Sequence, residues 1–425
     1  MIRTYIPLDF LVTSMSIQAI ADTDDCEKAN VTVVLPCLNE SETLTDCIGE
    51  IRTTLAKSGL SAEIIVSDNG SVDDSVAIAV ALGARVVHAS PKGYGVALSE
   101  GIAAATAELV VMGDADGSYD FGDIPLFVEK LLEGFDVVIG NRFRGGVMPG
   151  AMPWSHRWIG NPVLTAIGKL FFRCPIGDFH CGLRAIRKEA FTSLRLDRPG
   201  MEFASEMIVR SKLAGLRMAE IPTTLRPDGR SRPPHLRSFS DGWRHLRFML
   251  FFCPIWLFII PGAFLTITGG TLQLILAIVG EVHFNGIHYG INTSLAAAAM
   301  IFLGLQLVGS GFLVLKRGQS TGLLPAPEPE AKLNNLAMEH GLAASFFLIG
   351  MGTILFLTAL NHWRTTAFGD LPPDVTIRRV IPSVILVTIG SQSTFFMLLT
   401  STIRFMSANE VSLNSSSADH LIDSA

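Results

Sequence analysis

Four stretches without a formal charge constrain this chain more than any other feature. No Asp, Glu, Lys or Arg occurs between Arg247 and Glu281, between Glu281 and Lys316, between Glu339 and Arg364, or between Arg379 and Arg404. Each gap is mostly apolar, and about 20 apolar residues rising about 1.5 Å each cross a hydrocarbon core. The spacing predicts four transmembrane helices near 252–280, 292–315, 341–361 and 380–404. A mean hydropathy of +0.41 fits a chain whose apolar excess is concentrated in such spans.

The 425 residues also leave room for a globular domain, and residues 31–250 read as one. The expected plan is a disordered leader over 1–30, a globular domain over 31–235 and an amphipathic segment over 236–250. A membrane region over 251–405 and a polar tail over 406–425 follow. Met1–Asn30 lacks a signal peptide's basic start and apolar core, and Met15 is an alternative start, so the globular part is expected on the cytosolic side. The 281–291 connection holds no Lys or Arg, as an outside loop would. The 236–250 segment interleaves Arg237, Arg244 and Arg247 with Phe239, Trp243 and Phe248, a composition suited to the headgroup layer. A net charge of −6 argues against nucleic acid as a partner. The six cysteines form no CxxC pair and read as free thiols.

Within 31–145, short apolar runs alternate with amphipathic stretches. Val31–Leu35, Ile64–Ser67, Arg85–His88, Leu109–Met112 and Val137–Ile139 read as strands, and Glu42–Ser58 and Asp74–Leu82 as helices closed by Gly59 and Gly83. This is an α/β pattern: a Rossmann-like, mostly parallel sheet with helices on both faces. Ligands bind such sheets beyond the carboxyl ends of the strands. Residues 145–240 lack this regularity and are expected to be loop-rich and functional, ordered by Trp154, Trp158, Phe171, Phe172 and Phe203.

Chemistry gathers at the strand ends. The fourth run ends in Gly113-Asp114-Ala115-Asp116, two carboxylates suited to Mg²⁺ or Mn²⁺ and through it to a diphosphate. The first ends in Pro36-Cys37-Leu38-Asn39-Glu40 and the second in Asp68-Asn69-Gly70-Ser71, acceptors for a base or ribose; helix capping is the structural alternative. Lys92, in Pro91-Lys92-Gly93, can face a phosphate. Arg142, Arg184, Arg226, Arg230 and Arg232 can neutralise two anionic substrates brought to one carbon. A phosphate nucleophile is mostly dianionic near neutrality and needs little help from a base.

These motifs resemble family-2 glycosyltransferases of the GT-A fold, and more narrowly the dolichyl- or polyprenyl-phosphate sugar synthases, over roughly residues 30–250. The resemblance implies nucleotide contacts from Pro36, Asn39, Glu40, Asp68 and Lys92. It also implies metal and diphosphate contacts from Asp114 and Asp116, a nucleotide-sugar contact from Ala115 between them, and catalytic roles for Arg142 and Arg184. Asp178 matches the position proposed as base in some relatives, and Glu206 is a candidate for organising the site. Arg226-Pro-Asp-Gly229-Arg-Ser231-Arg232 looks like the family's Arg-x-x-Gly-x-Ser-Lys loop, so Arg184, Arg226, Arg230 and Arg232 are expected around the acceptor phosphate, with Arg232 in place of Lys. The Gln-x-x-Arg-Trp motif of processive synthases is not reproduced, since Arg157-Trp158 lacks the Gln and precedes Asp178. His180 reads as a structural partner.

The expected activity is therefore inverting, metal-dependent transfer of a hexose from a nucleoside diphosphate sugar of the UDP-glucose type to a polyprenyl phosphate. The partners are that donor, the lipid acceptor, the bilayer and possible further copies of the chain. The alternatives are a transferase with a hydroxyl acceptor, and a nonenzymatic membrane protein with a degenerate nucleotide-sugar domain.

Overall fold

The apolar runs of the N-terminal half pair with one another in a single sheet. The structure, a computed structural model, describes residues 31–231, 238–325 and 331–422. The expected leader and Arg232 lie outside the described residues. The chain divides between Met249 and Leu250 into two compact units.

In the first unit the strands are β1 (Val31–Cys37), β2 (Ala62–Asp68), β3 (Arg85–His88), β4 (Leu109–Met112), β5 (Val137–Asn141), β6 (Arg184–Arg187) and β7 (Met218–Pro222). They are ordered β3-β2-β1-β4-β6-β5-β7. β1, β2, β3 and β4 are parallel, as are β5 and β7, whereas β6 runs antiparallel to both its neighbours. Val31, Val33, Val34 and Leu35 are wholly buried, as expected of a central strand covered on both faces.

Helices fill the crossovers: α1 (Leu44–Ser58), α2 (Ser75–Ala81), α3 (Tyr94–Ala104) and α4 (Ile124–Leu132). α1 buries Leu44, Cys47, Ile48, Ile51 and Leu55, one stripe at three- and four-residue spacing, and ends on Gly59 at φ 70°. Beyond β5 come α5 (Asn161–Phe172), α6 (Lys188–Leu194), α7 (Phe203–Leu213) and α8 (Ser238–Phe251).

β6 and β7 stand where a loop-rich region was expected. Arg184-Ala-Ile-Arg187 holds a single β-branched residue between two arginines, a weak strand signal, yet its sheet pairing puts Arg184 between Met112 and Ile139. Because β6 runs against β4 and β5, the loop that enters it arrives at their carboxyl ends.

In the second unit the four charge-free runs form four helices long and apolar enough to cross a membrane: Ile255–Val279, Ile291–Ser320, Met338–Thr365 and Pro373–Ile403. Small residues let the first two approach. A Cβ at Gly262 would lie 2.6 Å from the Gly304 carbonyl oxygen, and one at Gly269 would lie 2.7 Å from that of Ala297. Between them Ser294 Oγ donates to Gln273 Oε1 at 2.8 Å.

Candidate active site

β4 carries Asp114 and Asp116 to the ligand edge. Tyr94, at the start of α3, donates its hydroxyl to Asp114 Oδ1 at 2.9 Å. Burial, reinforced by the like charge of Asp116, pushes the Asp114 carboxyl up to about 6. Asp116 Oδ1 accepts from the Ser118 amide (3.0 Å) and hydroxyl (2.6 Å). Between them Ala115 is buried, and its carbonyl accepts from Thr43 Oγ1 at 2.6 Å, tying the turn to the start of α1.

A divalent cation fits this pair, because it would offset both the burial of the Asp114 carboxylate and its repulsion by Asp116. Among the described residues no three His, Cys, Asp or Glu side chains form a group able to hold a metal. An ion here would therefore complete its shell with diphosphate oxygens and water, as Mg²⁺ commonly does.

The first two loops are laced together. Asn39 sits in the left-handed region at φ 59°. Its amide donates to Ser71 Oγ at 2.9 Å, and its Oδ1 accepts from the Val72 amide at 2.7 Å. Pro36, opposite Ser67 in the ladder, is partly exposed at the strand end. The buried Glu40 amide donates to Ser75 Oγ at 2.8 Å. Asp68 accepts from the Gly70 (3.2 Å) and Ser71 (3.0 Å) amides. Burial opposes its ionisation, but these bonds and the Ser71 hydroxyl outweigh it and hold the carboxyl below its ordinary range. Lys92 lies over Gly70: a Cβ there, at φ +93°, would sit 3.2 Å from Lys92 Cε.

Among the described residues, Arg142, Arg184, Arg226 and Arg230 do not form one cradle. Arg230 reaches the carboxylate pair, with Nη2 2.7 Å from Asp116 Oδ2 and Nη1 3.1 Å from Glu40 Oε1. Arg226 pairs instead with Asp120 (2.7 Å) and Glu50 (3.1 Å). Arg184 is buried and donates to three backbone carbonyls, those of Cys181 (2.7 Å), Ala204 (2.7 Å) and Phe179 (2.8 Å). Burial lowers its proton affinity. Arg184 thus fastens the 179–181 turn to α7.

Asp178 is wholly buried and grips Arg142 with both oxygens, at 2.7 Å to Nε and 2.8 Å to Nη2. Its burial would favour the neutral acid, but Arg142 and the Arg142 and His180 amides keep it ionised, below the ordinary carboxylate range. A carboxylate so held is a weak base. Glu206 accepts from the Asp197 and Arg198 amides and pairs with Arg210 at 3.1 Å. Burial nevertheless pushes it up to about 7. The loop it anchors packs on α3, where the Gly95 amide donates to the Pro199 carbonyl at 2.9 Å.

Four contributors to this site escaped sequence reasoning. Thr43 and Tyr94 hold the carboxylate turn, and Tyr119 accepts from the Gly182 amide at 2.6 Å, bringing the 178–183 loop against Asp114. Gly182 is needed for that approach, since a Cβ there would lie 3.1 Å from Asp114 Cγ. Tyr94 and Tyr119 flank recognised motifs, but nothing in a single sequence shows that their hydroxyls turn inward. Glu220 on β7 was also missed; it takes the Asp178 amide at 3.2 Å and so orients the Arg142 partner.

Two family models match the chain: "Glycosyl transferase family 2" over residues 32–195 and "Glycosyltransferase family 2 C-terminal transmembrane region" over 317–404. The chain is 32% identical over 373 residues to a low-salt glycan biosynthesis hexosyltransferase, Agl6, of Haloferax volcanii, covering 86% of this chain and 87% of that protein. A dolichyl-phosphate hexose transferase of the same organism is 30% identical over 215 residues, covering 50% of this chain and 89% of that protein. Among solved structures, Mycobacterium tuberculosis glucosyl-3-phosphoglycerate synthase in complex with Mn²⁺, uridine diphosphate and glucosyl-3-phosphoglycerate aligns at 24% identity and a TM-score of 0.42, covering 60% of this chain and 86% of that one. With near full-length similarity to a hexosyltransferase and matches to both the catalytic and the membrane-region models, the chain belongs to glycosyltransferase family 2 and is a multi-pass membrane glycosyltransferase.

Proposed function

We propose that this enzyme transfers a hexose from a nucleoside diphosphate sugar, of the UDP-glucose type, to a polyprenyl phosphate at the cytosolic face of the membrane. The observation that carries this reading is the Asp114/Asp116 pair, set beside Glu40 and the Asp68 loop, in a chain whose other half is membrane spans. Pro36, Asn39, Glu40, Asp68, Lys92 and Ala115 line the nucleotide side. Asp114 and Asp116 hold Mg²⁺ or Mn²⁺, which stabilises the departing diphosphate. Arg230 serves the phosphates, with Arg226 and Arg232 in the same loop. Arg142 and Asp178 work as a pair: the carboxylate orients the guanidinium, and the acceptor phosphate, already anionic, needs no base from Asp178. Arg184 and Glu206 hold the frame. The similarity to a dolichyl-phosphate hexose transferase supports the lipid acceptor, and the 281–291 connection without Lys or Arg supports the cytosolic side.

The test is release of nucleoside diphosphate by membranes carrying the chain, with Mn²⁺ and a panel of sugar nucleotides, with and without polyprenyl phosphate. Release that depends on the lipid phosphate, with a glycosylated lipid product, is expected. Release indifferent to it would move the assignment to a hydroxyl acceptor.

A further inference from the structure

The connection between the first two membrane spans folds back on itself. Asn285 and Gly286 turn the chain in the left-handed region, at φ 51° and 76°. Two short strands pair across that turn, β8 (Val282–Phe284) and β9 (Ile287–Tyr289). Phe284 faces Ile287 at the turn, and one step out His283 faces His288. Facing side chains of an antiparallel pair have their Cβ atoms about 5 Å apart. Here the two imidazole rings stack, with centroids 4.4 Å apart and planes 12° from parallel.

A carboxylate backs one of the rings. His288 Nε2 lies 3.3 Å from Glu281 Oε2. Gly290 leaves room for that approach, since a Cβ there would sit 3.2 Å from both Glu281 Oε1 and His288 Cε1. A neutral imidazole has one N–H and one bare nitrogen. With its Nε2–H turned to the carboxylate, His288 keeps Nδ1 bare. Metal-binding histidines have this arrangement, in which the second ring nitrogen donates to a carboxylate and so fixes tautomer and orientation. Residues 281–291 also contain no Lys or Arg to repel a cation.

We propose that His283 and His288 form a two-histidine site for a transition-metal ion of the Cu²⁺ or Zn²⁺ type, with Glu281 as its positioning residue. Imidazole nitrogen suits Cu²⁺, Zn²⁺ and Ni²⁺, whereas Mg²⁺ prefers oxygen. Metal–nitrogen bonds of about 2 Å require one nitrogen of each ring to converge. The torsion that swings an imidazole about its stem is broad enough to allow this. Two protein ligands leave the remaining positions to water, in keeping with the absence, among the described residues, of a metal-holding group of three His, Cys, Asp or Glu side chains. The ion would bridge the strands and pin the link between the spans. The site belongs to the second compact unit and does not depend on the reaction proposed for the first.

The test uses the full chain in detergent micelles, without a polyhistidine tag, titrated with Cu²⁺ and followed by electron paramagnetic resonance. One bound ion per chain, with nitrogen splitting from two imidazoles, is expected, and it should be lost in His283→Gln and in His288→Gln. A signal that survives both substitutions belongs to other histidines and overturns the proposal. Glu281→Gln should weaken Cu²⁺ binding about tenfold; an unchanged affinity would overturn the part given to Glu281. Moving the second histidine to the other face, by His288→Gln with Tyr289→His, should not restore binding. Restoration would mean that a pliable loop, not a paired hairpin, gathers the ligands, and would overturn the cross-strand site.

Discussion

Arg230 spans two ligand-edge loops: one terminal nitrogen lies 2.7 Å from Asp116 Oδ2 and the other 3.1 Å from Glu40 Oε1. A single guanidinium thus fastens the loop after β1 to the turn after β4. The carboxylate it occupies is also one proposed for the divalent cation, so arginine and ion would compete for Asp116. Arg230→Gln is expected to bind Mn²⁺ about tenfold more tightly in the absence of donor, or about 1.4 kcal/mol. Titration followed by the resonance of free Mn²⁺ checks this. Unchanged or weaker binding would show that the two cations share the site.

Asp116→Ala should abolish turnover while leaving the fold intact. The side chain lies at the edge of the site, and Arg230 keeps Glu40 and Asp228 as partners. Nucleoside diphosphate release and thermal unfolding, measured on the same preparation, separate the two effects. Retained turnover would refute the metal assignment.

Gly182→Ala is a geometric test of Asp114. The new methyl would crowd the Asp114 carboxyl group and the Tyr119 ring, so the carboxylate must shift. Misplacing a catalytic group by about 1 Å can cost about 100-fold in rate. A loss of that order with normal folding is expected, and wild-type turnover would mean that the 178–183 loop does not abut Asp114 during reaction.

Arg184→Ala should cost stability, about 3 kcal/mol, because three buried carbonyls lose their donor together. Arg184→Lys should restore little, since one ammonium cannot reproduce the planar fork. Denaturant midpoints of the purified chain decide this. A variant of normal stability with weakened acceptor use would instead place Arg184 at the acceptor.

Glu206 predicts a pH dependence. Its folded-state value, about 7, stands above the ordinary 4.5. Between these the native protein holds a proton that the unfolded chain has released, so stability falls as pH rises through that window. The thermal midpoint should fall from pH 5 to pH 7.5. Glu206→Gln should flatten that slope, and an unaltered slope in the variant would assign it to other groups.

Strands β1 to β5 were legible because each is a short apolar, largely β-branched run between turn residues. The carboxylate turn was legible for the same reason: a strand that must end at the ligand edge takes its next residues there. β6 was not, because Ile186 is its only β-branched residue where β3 has Val86 and Val87, and its placement depends on neighbours distant in sequence. The arginines misled in a related way. Residue type tells that Arg184 carries a charge, but not that its fork turns inward onto carbonyls while Arg230 turns outward onto Asp116. Trp154 and Trp158, read only as a sign that the region is ordered, stand exposed.

The reversed direction of β6 has a consequence for how such enzymes diversify. Asn141 ends β5, Arg184 opens β6, and Arg184 faces Ile139 across the ladder, so the whole excursion from 142 to 183 departs from and returns to one spot on the sheet. Its exposed part can lengthen or shorten without rethreading the sheet, provided that the buried Ile176, Phe179 and Cys181 and the Gly182 contact with Tyr119 keep their places. Chimeras cut at these two neighbouring strands should therefore keep their sugar-nucleotide preference while trading what receives the sugar.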